Sequence, residues 1–338
     1  MIMNLLQALY DPGSPFPEDE EFYQLALKDI EFFAVSSQVY DLLKQRGQLS
    51  HTPEFFQVRL KQKVEEALYP NILIKNQTDK ILHTFEDAGI PAIPLKGTWF
   101  AEKYFGQIGA RWTSDIDLLI QTTDLEQAIA GVKSLGYTME EERIPAHFHW
   151  SFSKELPGSP IPLTVELHWD ILKGNTSNFQ IEEFWKEAKP LQHYRYIKEL
   201  SDYHTFYMIC LHGWRHNLNS LKYFIDIIQM IHVLHDKIDY TVLFRDAAAH
   251  KTLKRMIRTL SIVYNQFPHL EKIRRLPLQR KRLWWEYQAI RNADYRTVRT
   301  YVDFVDYQFF GFDTIKHSLA SICECLQAAW HRQKEPMS

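Results

Sequence analysis

Cysteine is scarce: the 338 residues hold three, Cys210, Cys323 and Cys325, and no C-x-x-C pair. That excludes a disulfide framework and a cysteine-built zinc knuckle, and it suits a reducing, cytoplasmic setting. Long apolar runs are missing too. Even Tyr223 to Leu234 is interrupted by Asp226, Gln229 and His232, so neither a membrane-spanning helix nor a membrane partner is expected. The apolar start, Met1 to Tyr10, lacks a basic flank and soon meets Asp11, Glu18, Asp19, Glu20 and Glu21, which does not read as a secretory signal. Excess charge of one sign is absent as well. The 39 Lys and Arg nearly balance 42 Asp and Glu, for a formal net charge of -3, leaving no global attraction to nucleic acid or anionic lipid. No internal repeat or low-complexity tract suggests a solenoid or a disordered scaffold.

What is present is the composition of a folded globular chain, 45% hydrophobic and 24% charged, with 14% aromatic residues for a core or a pocket wall. Apolar residues recur at three- and four-residue steps over Asp19 to Arg46 and Thr52 to Gly89, predicting helices that end at Gly89. Pro91 and Pro94 frame Ala92-Ile93-Pro94-Leu95, which suits an edge strand. Lys96-Gly97-Thr98 then opens a helix to about Phe105, and Gly106 and Gly109 mark a loop. Ile116 to Ile120 reads as a strand, and Asp124 as the cap of a helix to Leu135. Tyr137 to Glu142, His147 to Lys154 and Leu163 to Trp169 follow as strands, the last two separated by a turn at Pro157-Gly158-Ser159-Pro160, giving a mixed sheet of about five strands. Beyond Ser177 helical periods dominate: Tyr203 to Asn217, Ser220 to His235, Tyr240 to Phe267, and aromatic-rich helices to about Arg332. The expected fold is α+β: an N-terminal helical region over 1-89, a small mixed-sheet core over 90-176 and a C-terminal helical domain over 177-338.

The most informative stretch runs from Pro94-Leu-Lys-Gly-Thr98 to Arg111-Trp-Thr-Ser-Asp-Ile-Asp-Leu-Leu-Ile120. Alternate residues of a strand share a face, so Asp115 and Asp117 project together while Ile116 and Leu118 point to the buried side. Two such carboxylates repel unless a cation lies between them; a hard divalent ion, Mg²⁺ or Mn²⁺, shared with phosphate oxygens is one reading, and a solvated strand end is the other. In Leu163-Thr-Val-Glu-Leu-His-Trp169, Thr164, Glu166 and His168 share a face opposite Val165, Leu167 and Trp169. If that strand lies beside the first, Glu166 completes a three-carboxylate cluster able to hold a second metal or take a proton from an attacking hydroxyl. Gly97, between a strand and a helix, lets backbone N–H groups approach a phosphate, with Lys96 adding charge and Thr98 a hydroxyl.

These residues resemble a known family. Leu95-Lys-Gly97, Arg111, Ser114-Asp-Ile-Asp-Leu-Leu-Ile120 and Glu166-Leu-His-Trp169 are similar to the uncharacterised bacterial nucleotidyltransferases of the DNA polymerase beta-like superfamily, and Leu211-His-Gly-Trp-Arg-His216 with Leu221-Lys-Tyr-Phe-Ile-Asp226 resembles that family's helical His and Asp motif. The resemblance spans about residues 70 to 235. It implies that Asp115 and Asp117 bind catalytic metals, that Glu166 is the third metal ligand or the base, and that Lys96, Gly97, Thr98, Arg111 and Ser114 attend the nucleotide. Thr98 departs from the usual Gly or Ser, and the spacer to Asp115 is longer than in compact members. The implied activity is metal-dependent transfer of NMP from an NTP such as ATP to a hydroxyl or phosphate of an unidentified acceptor, a peptide natural product, a sugar or another small molecule. A catalytically inactive nucleotide- or partner-binding module and an RNA-directed transferase are the alternatives.

Other candidates are less specific. Arg111 reads either as a phosphate contact or as a loop arginine paired with an acid. His212 and His216, four apart on a helix, suit zinc geometrically but lack a third ligand, so a core or supporting role is preferred. Asp226 in an apolar helix needs a partner, for which His212, His216 and Lys222 are candidates, and these residues with His168 are assigned to the acceptor side of the cleft. The basic segment Lys272 to Arg299, with Trp284 and Trp285, reads as a solvated helix face or as a nucleic-acid or phosphorylated-acceptor surface. His147 and His149 suggest only cleft lining, and Cys323 and Cys325 ordinary small side chains.

Overall fold

A computed structural model describes residues 2–140, 148–156, 162–292 and 294–323. Four helices come first: α1 (Ile2–Tyr10), α2 (Glu20–Phe32), α3 (Ser36–Gln45) and α4 (Glu54–Asp87). The Asp19 side chain accepts from the Glu21 N–H at the start of α2. Ala34, at φ +52°, splits the first helical stretch in two. The sheet segment follows as β1 (Ala92–Pro94), α5 (Gly97–Phe105), β2 (Asp115–Ile120), α6 (Leu125–Ser134), β3 (Thr138–Met139), β4 (His149–Lys154) and β5 (Leu163–His168). Then come α7 (Ile181–Glu187), the antiparallel pair β6 (Lys189–Pro190) and β7 (Lys198–Glu199), and helices α8 (Asp202–Arg215), α9 (Leu221–Val233), α10 (Tyr240–Ala249) and α11 (Leu253–Gln266).

The fold is α+β around a five-stranded mixed sheet in the order β1-β2-β5-β4-β3. β2 and β5 run parallel, with Asp117 opposite Glu166 and Asp115 opposite Thr164, and the other neighbours are antiparallel. The Pro-framed strand β1 lies at an edge, where a missing N–H costs no ladder bond. One face of the sheet buries Ile116, Leu118, Val165 and Leu167 against Ile81, Leu82 and Phe85 of α4 and Ala128, Ile129 and Val132 of α6. Each such aliphatic burial contributes about 1.5–3 kcal/mol. The opposite face carries the polar residues of the alternation.

A second apolar core joins α1, α2, α3 and the first part of α4, through Leu5, Ile30, Val39 and Phe56, to Phe206, Ile227 and Leu260 of the later helices. Helix α4 serves both cores, so the chain before the sheet and the chain after it pack together. Among the described residues, no helix is long and apolar enough to cross a membrane.

Several local expectations are corrected. Asp124 does stand at the N-cap of α6, but a 3-10 turn over Thr122–Asp124 precedes the helix and its carboxylate makes no capping bond, accepting from the Thr123 hydroxyl instead. The Tyr240 to Phe267 period is two helices, broken at Lys251 with φ +58°. The segment from Lys272 to Arg299 is largely irregular, with a short helix at Tyr287–Arg291, rather than one helix face. The β6–β7 pair was not expected, because two-residue strands carry too few side chains for a period. Glu141 and Glu142, His147, the 157–160 turn, Cys325 and any helix past 323 lie outside the described residues.

Candidate active site

The loop entering β2 is held from two sides. Asn71, fully buried on α4, donates its amide to the carbonyls of Ile108 (2.9 Å) and Arg111 (3.0 Å), while its own carbonyl oxygen accepts from the Thr113 N–H (3.2 Å). From the other side, Arg111 donates through Nε and Nη2 to the two carboxylate oxygens of Asp226 on α9, both at 2.8 Å. The guanidinium also lies over the Phe100 ring, 5.2 Å from its centroid. Asp226 therefore pairs with Arg111, not with His212, His216 or Lys222. Burial opposes the charge on Arg111, but Asp226 outweighs it and holds the guanidinium above its usual range.

The period-two alternation of β2 and β5 then aims the carboxylates into one cleft. Asp117 is almost wholly buried, Glu166 stands opposite it in register, and Asp115 lies two residues earlier on the same face. The Ser114 hydroxyl donates to Asp115 at 3.2 Å. Two basic side chains face these acids. Lys96 Nζ is 3.0 Å from Asp117 Oδ2, and His168 Nε2 is 3.1 Å from Asp117 Oδ1 and 3.0 Å from Glu166 Oε2. Burial alone would raise the Asp117 carboxyl, but Lys96 and His168 override it and hold the group well below the usual carboxylate range. Glu166 is lowered on the same balance, its burial outweighed by the hydrogen bond from His168. His168 is raised in turn: burial disfavours its charge, and the bonds to Asp117 and Glu166 more than restore it.

Gly97 begins α5 at φ +78°, a left-handed conformation costly for any residue with a Cβ. Its N–H groups thus stand at a helix start beside the carboxylates, where the dipole favours an anion. Lys96, Gly97, Arg111, Ser114, Asp115, Asp117, Glu166, His168, His212, His216 and Lys222 all line one cleft of about 230 Å³. Thr98, expected to offer a hydroxyl to phosphate, is buried and is not among the residues that line the cleft. Asp226 also sits behind the wall, reaching the cleft only through Arg111.

The helical wall brings groups whose charge is suppressed. Burial and the neighbouring Arg215 push His216 down to about 4, and burial with Lys96 takes His212 well below its ordinary range. Their rings lie 4.7 Å apart, with Tyr223 stacked on His216 at 5.0 Å. Lys222 is lowered to about 8 by burial and by Arg111. Sequence reasoning missed Arg215 and Tyr223 as lining residues, although both stand inside the helical motifs. It also gave His149 no specific place; this residue sits 4.0 Å from Glu166, and His149, Glu166 and His168 offer ligand atoms within 4.8 Å of one another. Among the described residues, Asp117 Oδ2, buried and ion-paired with Lys96, accepts no aligned hydrogen bond. Hard carboxylate oxygens with an unsatisfied lone pair fit a divalent cation.

Three arginines of the basic segment are engaged within the fold. Arg280 pairs with Asp306, Arg291 with Asp29 at 2.5 Å, and Arg299 with Glu286 at 3.8 Å. A family model described as an uncharacterised nucleotidyltransferase matches residues 23–267, past both ends of the motif-bearing stretch. No curated protein and no solved structure matches the chain.

Proposed function

Because the chain belongs to the uncharacterised nucleotidyltransferase family, a transferase family, we propose that this cleft moves NMP from an NTP to a hydroxyl or phosphate oxygen of a small acceptor. The observation that carries the reading is the register of Asp117 against Glu166, with Asp115 on the same face, beside a glycine-headed helix start. Asp115, Asp117 and Glu166 are the residues to hold Mg²⁺ or Mn²⁺, which would supply neutralisation of triphosphate charge and polarisation at the α-phosphorus. The N–H groups at Gly97 and the ammonium of Lys96 receive phosphate oxygens; Lys222 and Arg215 add positive charge on the facing wall. An acceptor oxygen bonds to the α-phosphorus, the bond to the β-phosphate oxygen breaks, and pyrophosphate leaves. Glu166 takes the proton when the acceptor is a hydroxyl. His168, bonded to both Asp117 and Glu166, fixes their orientation.

A peptide or sugar acceptor is preferred over RNA in this reading, and the pairing of the arginines at 280, 291 and 299 with acids of the fold supports it. The test is product identity. With each NTP, Mg²⁺ or Mn²⁺, and a host lysate as acceptor source, the protein should release pyrophosphate. NDP with orthophosphate would instead make it a phosphohydrolase, and NDP with a phosphorylated acceptor a kinase; either would overturn the proposal.

A further inference from the structure

Beside the catalytic cleft lies a second cavity of about 270 Å³, and the two share Phe148, Ile171 and Arg215 as a common wall. Arg255 of α11 lines it. Its guanidinium lies in the corner between the rings of Trp214 (4.6 Å) and Phe312 (4.5 Å), which meet edge to face with centroids 5.5 Å apart. Nη2 donates to the Thr176 carbonyl, whereas Nε and Nη1 have no partner among the described residues. The side chain is nevertheless completely buried.

Three residues along the same helix, Arg258 shows how this fold treats a buried arginine that serves packing. It pairs with Asp303 at 2.6 Å and Asp306 at 3.4 Å. No carboxylate among the described residues lies within ion-pair distance of Arg255; Asp313 acts on it only through space, its carboxylate accepting from the Lys254 N–H. Burial lowers Arg255 to about 10, which leaves it charged at neutral pH. A buried cation without a counterion is costly. A buried guanidinium with unpartnered N–H groups at Nε and Nη1 is also a charged donor for a carboxylate or phosphate oxygen.

We propose that Arg255 heads an anion subsite for the acceptor, so that the acceptor is an acid whose carboxylate or phosphate rests on Arg255 while its nucleophilic oxygen reaches past Phe148 to the carboxylate cluster. Phe148 is well placed for such a partition: its ring lies against His168, with centroids 5.9 Å apart, and under the Arg215 guanidinium at 4.9 Å. That the anion belongs to the acceptor rests on the transfer reading; the anion subsite itself does not.

The test is thermal stabilisation of the full chain by inorganic phosphate and by acetate, at ionic strength matched with chloride, in the native protein, Arg255→Met and Arg255→Lys. The native protein should be stabilised by at least one anion, and Arg255→Met should weaken its apparent affinity at least about tenfold, as expected for a lost charge-assisted bond. If Arg255→Met does not fold, Arg255→Lys decides, because it keeps the charge and loses the guanidinium donors at Nε and Nη1, and it too should weaken the apparent affinity. A response to phosphate alone assigns a phosphorylated acceptor, to acetate alone a carboxylic one. Equal stabilisation in native and variant proteins, or none with either anion, overturns the subsite. Anion binding at Arg255 without any nucleotide transfer would keep the subsite and defeat only the transfer reading.

Discussion

Arg111 and Asp226, 115 residues apart in the chain, close a bidentate pair of 2.8 Å bonds behind the cleft and tie the strand bearing Asp115 and Asp117 to the helical wall. Removing one partner leaves the other charged and buried, so Asp226→Ala should cost about 3–5 kcal/mol in urea unfolding. The double change Arg111→Met, Asp226→Leu should recover a good part of that loss, because no orphan charge remains. Two independent, additive losses would show that the pair is not coupled.

Gly97 should respond to a Cβ in two ways. Its φ of +78° makes Gly97→Ala cost about 1–2 kcal/mol of stability. The same change disturbs the helix start aimed at phosphate and should weaken NTP binding by about tenfold, equivalent to 1.4 kcal/mol. Gly47 is the control: it too has positive φ, at +65°, and a Cβ added there would meet nothing within 4 Å. Gly47→Ala should lose comparable stability with unchanged NTP affinity, and equal affinity losses in both would contradict the phosphate role.

Acid should loosen the fold before it reaches the carboxylates. His232 of α9 is pushed down to about 4 by burial and by His269, itself lowered by burial, and their Nε2 atoms lie 3.1 Å apart. Above the ordinary histidine range both folded and unfolded chains hold these rings neutral, and their contribution is complete. As pH falls from about 6.5 toward 4, the unfolded chain takes up protons that the folded chain refuses, so stability is lost across that window. The melting temperature should therefore drop between pH 6.5 and 4, and His232→Phe, which keeps the ring against Tyr10, should flatten the drop. An unchanged slope in that variant would remove the pair as a cause.

What the sequence revealed of the site was its local part. The alternation that puts Asp115 with Asp117, and Glu166 with His168, is a property of a single strand, and the structure places both strands side by side in one register. The α+β class and the edge position of β1 followed from periodicity and proline in the same way. What did not show was anything set by tertiary contact: the Asn71 clamp on the β2 loop, the partner of Asp226, the burial of Thr98, and the shared core of early and late helices. Two-residue strands and the break at Lys251 also escaped, since neither alters the apolar period enough to be seen.

The central claim is that the carboxylates of β2 and β5 carry the transfer chemistry. The direct measurement is transfer of label from α-labelled NTPs to an acceptor in host lysate, comparing the native protein with Asp117→Asn and Glu166→Gln after circular dichroism has shown both variants folded. The account predicts metal-dependent labelling of one acceptor species by the native protein, abolished by chelation and reduced by at least about a thousandfold in each variant, as for loss of a group that stabilises transition-state charge. Full labelling by both folded variants would contradict it.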